Sequence, residues 1–156
     1  MKIVPALLLV LILESAIAAQ GRNAQTAEQF LRKGNPAVDW NVGSAKIADF
    51  DCDGTPDTVM LGTEKDRVVV GIVWGNPKKR EEILTFPIGT PAQDGFSTRP
   101  TKIEIHPLDC KTEDGRPLPG CKFVSGCMTF SVPDAQADAF NFYWDASDRK
   151  LAWWRL

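Results

Sequence analysis

Four aspartates lie within a nine-residue stretch of the chain, which reads DFDCDGTPD over residues 49–57. Carboxylates at such spacing repel one another unless a cation lies between them. Calcium suits the set because it takes about six to eight oxygen ligands in flexible geometry, whereas magnesium binds fewer carboxylates and keeps its waters. We therefore predict a calcium site with side-chain ligands from Asp49, Asp51, Asp53 and Asp57 and the backbone carbonyl of Thr55.

The same stretch has a second interpretation that needs no metal. Aspartates in turns accept hydrogen bonds from nearby backbone amides, so the loop could be a closed Asp-rich turn. A disulfide at Cys52 would then fix its shape. The number of oxygen ligands favours calcium over this alternative.

The residues after the acidic loop distinguish it from an EF-hand. An EF-hand needs a bidentate glutamate at its twelfth position, and here that position is Met60. The loop also leads into the β-type sequence TVML at 58–61, where an EF-hand would enter a helix. The pattern D-x-D-x-D-G-x-x-D between two strands instead resembles the FG-GAP (VCBS) repeat, over about residues 46–75. The resemblance implies a calcium loop that staples antiparallel strands, and it implies no particular activity.

Short β segments separated by Gly, Pro, Asn and Asp surround the loop and predict the elements that hold it. A capping-box pattern at 26–29 predicts a short helix over about 26–33, which ends at Gly34. The rest predicts one mostly-β domain, a small antiparallel sheet or sandwich. The chain is too short for a propeller, which needs about four to eight four-stranded blades. The predicted strands are 45–50, 58–61, 67–74, 82–86, 102–106, 122–124, 128–132, 139–144 and 151–154, and the nearly all-apolar 67–74 predicts a central strand buried on both faces.

Four cysteines predict two disulfides, with three possible pairings. A Cys110–Cys121 bridge would close a Gly/Pro-rich loop and leave Cys52 for Cys127. The rival pairing joins Cys121 to Cys127 and leaves Cys52 for Cys110. The first is slightly favoured. Metal binding by the thiols is disfavoured because the sequence has no CxxC pair.

The N-terminus predicts export. A lysine at position 2, an apolar run over 3–13 and the small-x-small triplet AIA at 16–18 are typical of a signal peptide over residues 1–19. Cleavage after Ala18 or Ala19 would release a single mature domain, 20–156, to the periplasm or the medium. The apolar run is about half of the ~20 residues that span a bilayer, so we expect no membrane anchor after cleavage.

The sequence carries no convincing catalytic set. The only histidine, His106, precedes a proline at a predicted strand end, and no nucleophile is evident near it. Ser125 is interpreted as a turn residue. The net charge of −2 is spread over interspersed signs without a basic stripe, so nucleic acid is a poor candidate partner.

Three functions stay open for a small exported protein of this kind. The favoured one is a non-enzymatic binding or interaction module with structural calcium. An inhibitor or immunity protein against an envelope toxin is the second, suggested by two long loops at 88–100 and 111–120. The third is binding or hydrolysis of carbohydrate or cell wall through the aromatic C-terminus, although Trp144, Trp153 and Trp154 are more readily interpreted as core. The expected partners are thus an envelope protein or a glycan.

Overall fold

The computed structural model describes residues 23–76, 81–89 and 94–156. The predicted signal peptide and its cleavage site lie outside these residues. Helix α1 covers 23–34, and eight strands follow it within the described chain. Their bounds are β1 Asp39–Ala48, β2 Asp57–Glu64, β3 Arg67–Val73, β4 Glu82–Pro87, β5 Glu104–Pro107, β6 Met128–Val132, β7 Phe140–Asp145 and β8 Lys150–Trp154.

The strands form two four-stranded antiparallel sheets, each with its strands in chain order. Sheet 1 contains β1–β4 and sheet 2 contains β5–β8. The predicted fold class is confirmed: a mostly-β domain with one short helix, in which neither described sheet closes into a barrel or propeller. A hydrogen bond from the Leu151 amide to Glu82 Oε1 (2.9 Å) links the two sheets from β8 to β4.

The main core lies between the two sheets because alternate side chains of each strand point inward. Val68, Val70 and Ile72 of β3 meet aromatic side chains from sheet 2 in one buried cluster. Trp74 and Trp144 bring the sheets together in an edge-to-face contact, with ring centroids 5.0 Å apart. Such aromatic pairs contribute about 0.5–1.5 kcal/mol beyond the area they bury.

A second core lies on the outer face of sheet 1, under α1. Leu31 of the helix packs with Trp40 and with Val69, which belongs to β3. Gly71 leaves the space that the Trp40 ring fills, since a Cβ there would lie 2.5 Å from the ring. Strand β3 is therefore buried on both faces, as its apolar sequence predicts.

Both disulfides have the favoured pairing. Cys110–Cys121 closes the predicted loop, and Cys52–Cys127 joins the acidic loop to the start of β6. Two disulfides point to an oxidising environment. Among the described residues, no helix combines the length and the apolar character needed to cross a membrane.

Two local predictions are wrong. The helix already includes residue 23, so Thr26 lies inside it and does not cap its start. The predicted strand at 122–124 is irregular backbone, because disulfide-bonded cysteines flank the segment and leave its Phe123 and Val124 exposed to solvent instead of paired in a ladder.

Candidate metal centre

Three carboxylates of the acidic loop converge. Asp49, Asp51 and Asp57 each offer an oxygen, and these oxygens all lie within 4.8 Å of one another. Asp51 and Asp57 are buried, and Asp49 is half-buried. This triad could hold a metal ion, and its ligand atoms are the hard oxygens that calcium and magnesium prefer.

The strand order places Asp57 at the base of the site. It is the first residue of β2 and pairs with Ala48, the last residue of β1. Its carboxylate accepts the Phe50 amide on Oδ2 and the Gly75 amide on Oδ1, both at 2.8 Å. The side chain is thus fixed between the loop and the end of β3.

The other two members of the triad are held by the turn itself. Asp49 accepts the Asp53 amide (3.1 Å) and the Gly54 amide (2.9 Å), and Asp51 Oδ1 also accepts the Asp53 amide at 3.1 Å. Gly54 has a φ of 84°, a left-handed conformation that glycine adopts without a steric penalty. The predicted sharp turn at Gly54 is therefore present.

Asp53, a predicted ligand, is not part of the triad. Its Oδ1 accepts the Thr55 amide at 2.9 Å, and its Oδ2 accepts the Asn76 side-chain amide at 3.0 Å. The structure thus brings together three of the four predicted carboxylates. Coordination by the backbone carbonyl of Thr55 stays a prediction.

The electrostatics of the triad favour a cation. Burial raises the pKa of Asp57 to about 6, and the neighbouring charge of Asp51 adds to the rise, against the lowering effect of the Gly75 and Phe50 amides. The fold therefore holds this carboxylate at a position that disfavours its charge. A divalent ion between the three side chains would offset both the cost of burying this charge and its repulsion by Asp51.

The triad also lies where the two sheets join. The Asp49 carbonyl accepts the amide of Met128, the first residue of β6, at 2.9 Å. The Cys52–Cys127 disulfide crosses the same junction. The conformation of the acidic loop therefore helps to determine how the two sheets are positioned relative to each other.

One polar pair in sheet 2 was not predictable from the spacing of its residues. His106 Nε2 lies 2.9 Å from Ser131 Oγ, although the two residues are 25 positions apart. A serine hydroxyl therefore lies beside His106, although none is near it in the sequence. Ser131 is only 4% exposed, so its hydroxyl is placed to orient the imidazole rather than to attack a substrate. Ser125 lies in a turn, as predicted.

The described residues of the two long loops, 88–89 and 94–100 in the first and 111–120 in the second, lie at different ends of sheet 2. In the first loop, the Ser97 amide donates a hydrogen bond to Asp134 (2.9 Å), which lies in the connection between β6 and β7. The second contacts the β7–β8 turn, through the Ala146 amide bonded to Gly120 (3.0 Å). Successive hairpin connections lie at opposite ends of a sheet, so Ser97 and Gly120 do too. Phe96 of the first loop is moreover fully buried in the main core.

Comparisons with known proteins complete the description of the site. No family model, curated protein or solved structure matches this chain. The resemblance to the FG-GAP repeat is therefore carried only by the loop pattern within residues 46–75 and stays a prediction.

Proposed function

We propose that the protein is an exported binding module whose two sheets are fixed together by structural calcium. The observation that carries the proposal is the carboxylate triad of Asp49, Asp51 and Asp57, which lies at the junction of the sheets. A structural ion suits this position because two of the three residues, Asp51 and Asp57, are buried.

Calcium is preferred to magnesium for two reasons. The triad supplies several carboxylates at once, while magnesium is usually held by one or two and keeps its waters. The loop geometry is irregular, with a left-handed residue at Cys52 as well as at Gly54. Calcium tolerates such geometry better than magnesium.

Two observations support export. The N-terminal pattern over residues 1–19 is that of a signal peptide, and the paired cysteines fit an oxidising compartment. Expression of the whole gene product with its own N-terminus should yield a periplasmic or secreted chain. Its mass should correspond to cleavage after Ala18 or Ala19. Retention of the full-length mass in the cytoplasm would contradict the proposal.

A thermal melt of the oxidised protein tests the calcium site. An ion that binds only the folded state stabilises it by about 2.7 kcal/mol at a concentration 100 times its Kd. We expect calcium to raise the Tm over that in chelator, and magnesium to raise it less. The exposed aspartate variant Asp138→Asn should show the same calcium shift. An equal Tm in calcium and in chelator would rule out the site.

One feature favours a second candidate, inhibition of another protein. The segment 122–126 lies between Cys121 and Cys127, which belong to different disulfides. Within it Phe123 is 68% exposed and Val124 is 42% exposed. A constrained segment that presents an aromatic side chain loses little entropy on binding and can serve as an interface anchor.

The inhibitor candidate is tested with envelope-directed hydrolases, since cell-wall cleavage is the harm an envelope immunity protein would prevent. We expect dose-dependent inhibition of a peptidoglycan hydrolase by the wild type and its loss in Phe123→Ser. The matched control is Phe30→Ser, which changes an exposed phenylalanine on α1. Equal inhibition by both variants would exclude the segment, and no inhibition by the wild type would leave the calcium-stabilised binding module as the better proposal.

A further inference from the structure

A row of four side chains crosses the outer face of sheet 2, one from each strand. The register pairs Glu104 with Ser131, Ser131 with Asn141, and Asn141 with Trp154. Directly paired residues of antiparallel strands project from the same face. Since neighbouring strands lie about 4.8 Å apart, the row is about 14 Å long.

The row forms the floor of a cleft of about 370 Å³, a size within the range of small-molecule sites. The segment that follows β5 supplies the wall, with Leu108 and Leu118 lining the cleft. The Cys110–Cys121 disulfide and the hydrogen bond from Tyr143 Oη to the Pro119 carbonyl (3.0 Å) hold this wall against the sheet. The cleft is thus preformed.

Neighbouring residues hold the polar groups of the floor in position. Lys102 Nζ lies 2.6 Å from Glu104 Oε1, so the acidic end of the row is already neutralised. His106 also lines the cleft, and its contact with Ser131 fixes the ring. Asn141 Nδ2 donates to the Ala139 carbonyl at 3.2 Å, which orients the amide.

The aromatic end of the row has a different character. Trp154 lines the cleft and is half-buried against the apolar cluster of Leu108 and Tyr143. An indole offers a broad apolar surface with a polar edge. The cleft therefore combines an aromatic surface at one end with hydrogen-bonding groups along its length.

We propose that this cleft binds a neutral saccharide of two or three rings. A sugar ring presents an apolar C–H face, which packs on an indole, and hydroxyl groups, which bond to amide, imidazole and carboxylate groups. Three carboxylates line the cleft, from Glu104, Asp109 and Glu113, against one lysine, Lys111, and this excess of negative charge selects against anionic ligands. The proposal rests on the proposed function, because it names the ligand class of the binding module.

The test is a titration of the oxidised, calcium-containing protein with maltotriose, cellotriose and triacetylchitotriose, followed by amide and indole NMR signals. We expect at least one of the three to shift the signals of residues 104, 131, 141 and 154. Asn141→Ala should raise the Kd about tenfold, as the loss of one good hydrogen bond to ligand would. Asn41→Ala changes an exposed asparagine on sheet 1 and should leave the Kd unchanged.

Trp154→Phe gives a second, milder change at the other end of the cleft, and we expect it to weaken binding severalfold while the Tm changes little. Binding of none of the three sugars, or binding with signal changes outside the cleft, would overturn the proposal. The Tm in calcium and in chelator is measured on the same samples. A calcium shift without sugar binding would therefore reject the cleft alone, and sugar binding without a calcium shift would reject the metal site alone.

Discussion

Asp57 and Asp134 are both buried carboxylates, but Asp134 is paired with a cation and Asp57 lies beside another acid. Asp134 has a cation of its own: Arg155 Nη2 lies 3.0 Å from Asp134 Oδ2, with the two side chains 7% and 0% exposed. Asp57 is hydrogen-bonded by backbone amides, those of Phe50, Gly75 and Asp51, and its charged neighbour is the Asp51 carboxylate.

The pKa values follow from this difference. Burial alone would raise the pKa of Asp134, but hydrogen bonds from Ser97 and Gln136 and the charge of Arg155 outweigh it, and the net pKa is lowered. For Asp57, burial and the charge of Asp51 prevail, and the pKa rises to about 6. At Asp57 the lowering effect of the backbone amides on the pKa is smaller than the combined effect of burial and the Asp51 charge. The comparison is the reason to expect that the acidic loop takes its positive charge from a bound ion.

The largest effect should come from removing the bridge that constrains the loop. Cys52 and Cys127 are 75 positions apart, and the chain-entropy model gives such a bridge about 4 kcal/mol. The double variant Cys52→Ala/Cys127→Ala should lose that much free energy of unfolding in urea with chelator present.

The shorter bridge is the matched control. Cys110 and Cys121 are 11 positions apart, so Cys110→Ala/Cys121→Ala should lose less, about 3 kcal/mol. If the Cys52 double variant lost the smaller amount, contacts other than the disulfide would already constrain the acidic loop.

The second test removes Arg155, the cation that is paired with Asp134. Arg155→Met keeps much of the aliphatic length over the Phe140 ring, where Cζ lies 4.6 Å from the centroid, but leaves Asp134 buried without its ion pair. We expect the free energy of unfolding, measured in urea, to fall by about 3 kcal/mol. This is the lower end of the range for a broken buried ion pair, because the hydrogen bonds from Ser97 to Asp134 remain.

The control for this change is an exposed ion pair of the same kind. Arg116 Nε lies 2.7 Å from Asp114, and both side chains are well exposed. Arg116→Met should cost far less free energy of unfolding than Arg155→Met, because solvent screens an exposed pair. Equal costs for the two variants would mean that burial of the Arg155 pair has no energetic consequence.

Much of this architecture could be predicted because it is local in the sequence. The spacing of the aspartates and Gly54 indicated the loop, and apolar runs indicated most of the strands. The prediction of a strand at 122–124 failed because two β-type residues, Phe123 and Val124, do not reveal whether a partner strand is present. The flanking disulfides leave that segment outside both sheets.

Features that depend on strand pairing could not be predicted. Asp53 fits the ligand spacing, yet its carboxylate is bonded to Asn76, which β2 and β3 bring back to the loop. His106 and Ser131 become neighbours only through the β5–β6 register. In each case the partner is more than 20 positions away along the chain. The residue pattern within one segment does not show which distant residue it will contact.

A smaller effect is expected from removing one charge of the triad. Asp51→Asn preserves an acceptor for the Asp53 amide while it relieves the repulsion on Asp57. In chelator the variant should therefore match the wild type or slightly exceed it. In calcium it should lose about 1.4 kcal/mol or more of the calcium-induced stabilisation, equivalent to tenfold weaker binding. The same calcium shift as the wild type would show that Asp51 is not a ligand.

The smallest expected effect is the pH dependence of the stability that the Asp134–Arg155 pair contributes. It tests the comparison with Asp57 most directly. Because its folded pKa lies below its unfolded value, Asp134 contributes stability that is complete above about pH 4 and is lost as pH falls through the folded pKa. The difference in free energy of unfolding between the wild type and Asp134→Asn, measured in urea with chelator from pH 6 to pH 2, should thus shrink toward the acid end. Subtracting the variant removes the common contribution of the other carboxylates. A difference that stayed constant over this range would mean that Arg155 and Ser97 do not stabilise the ionised form, and the contrast with Asp57 would then lose its electrostatic basis.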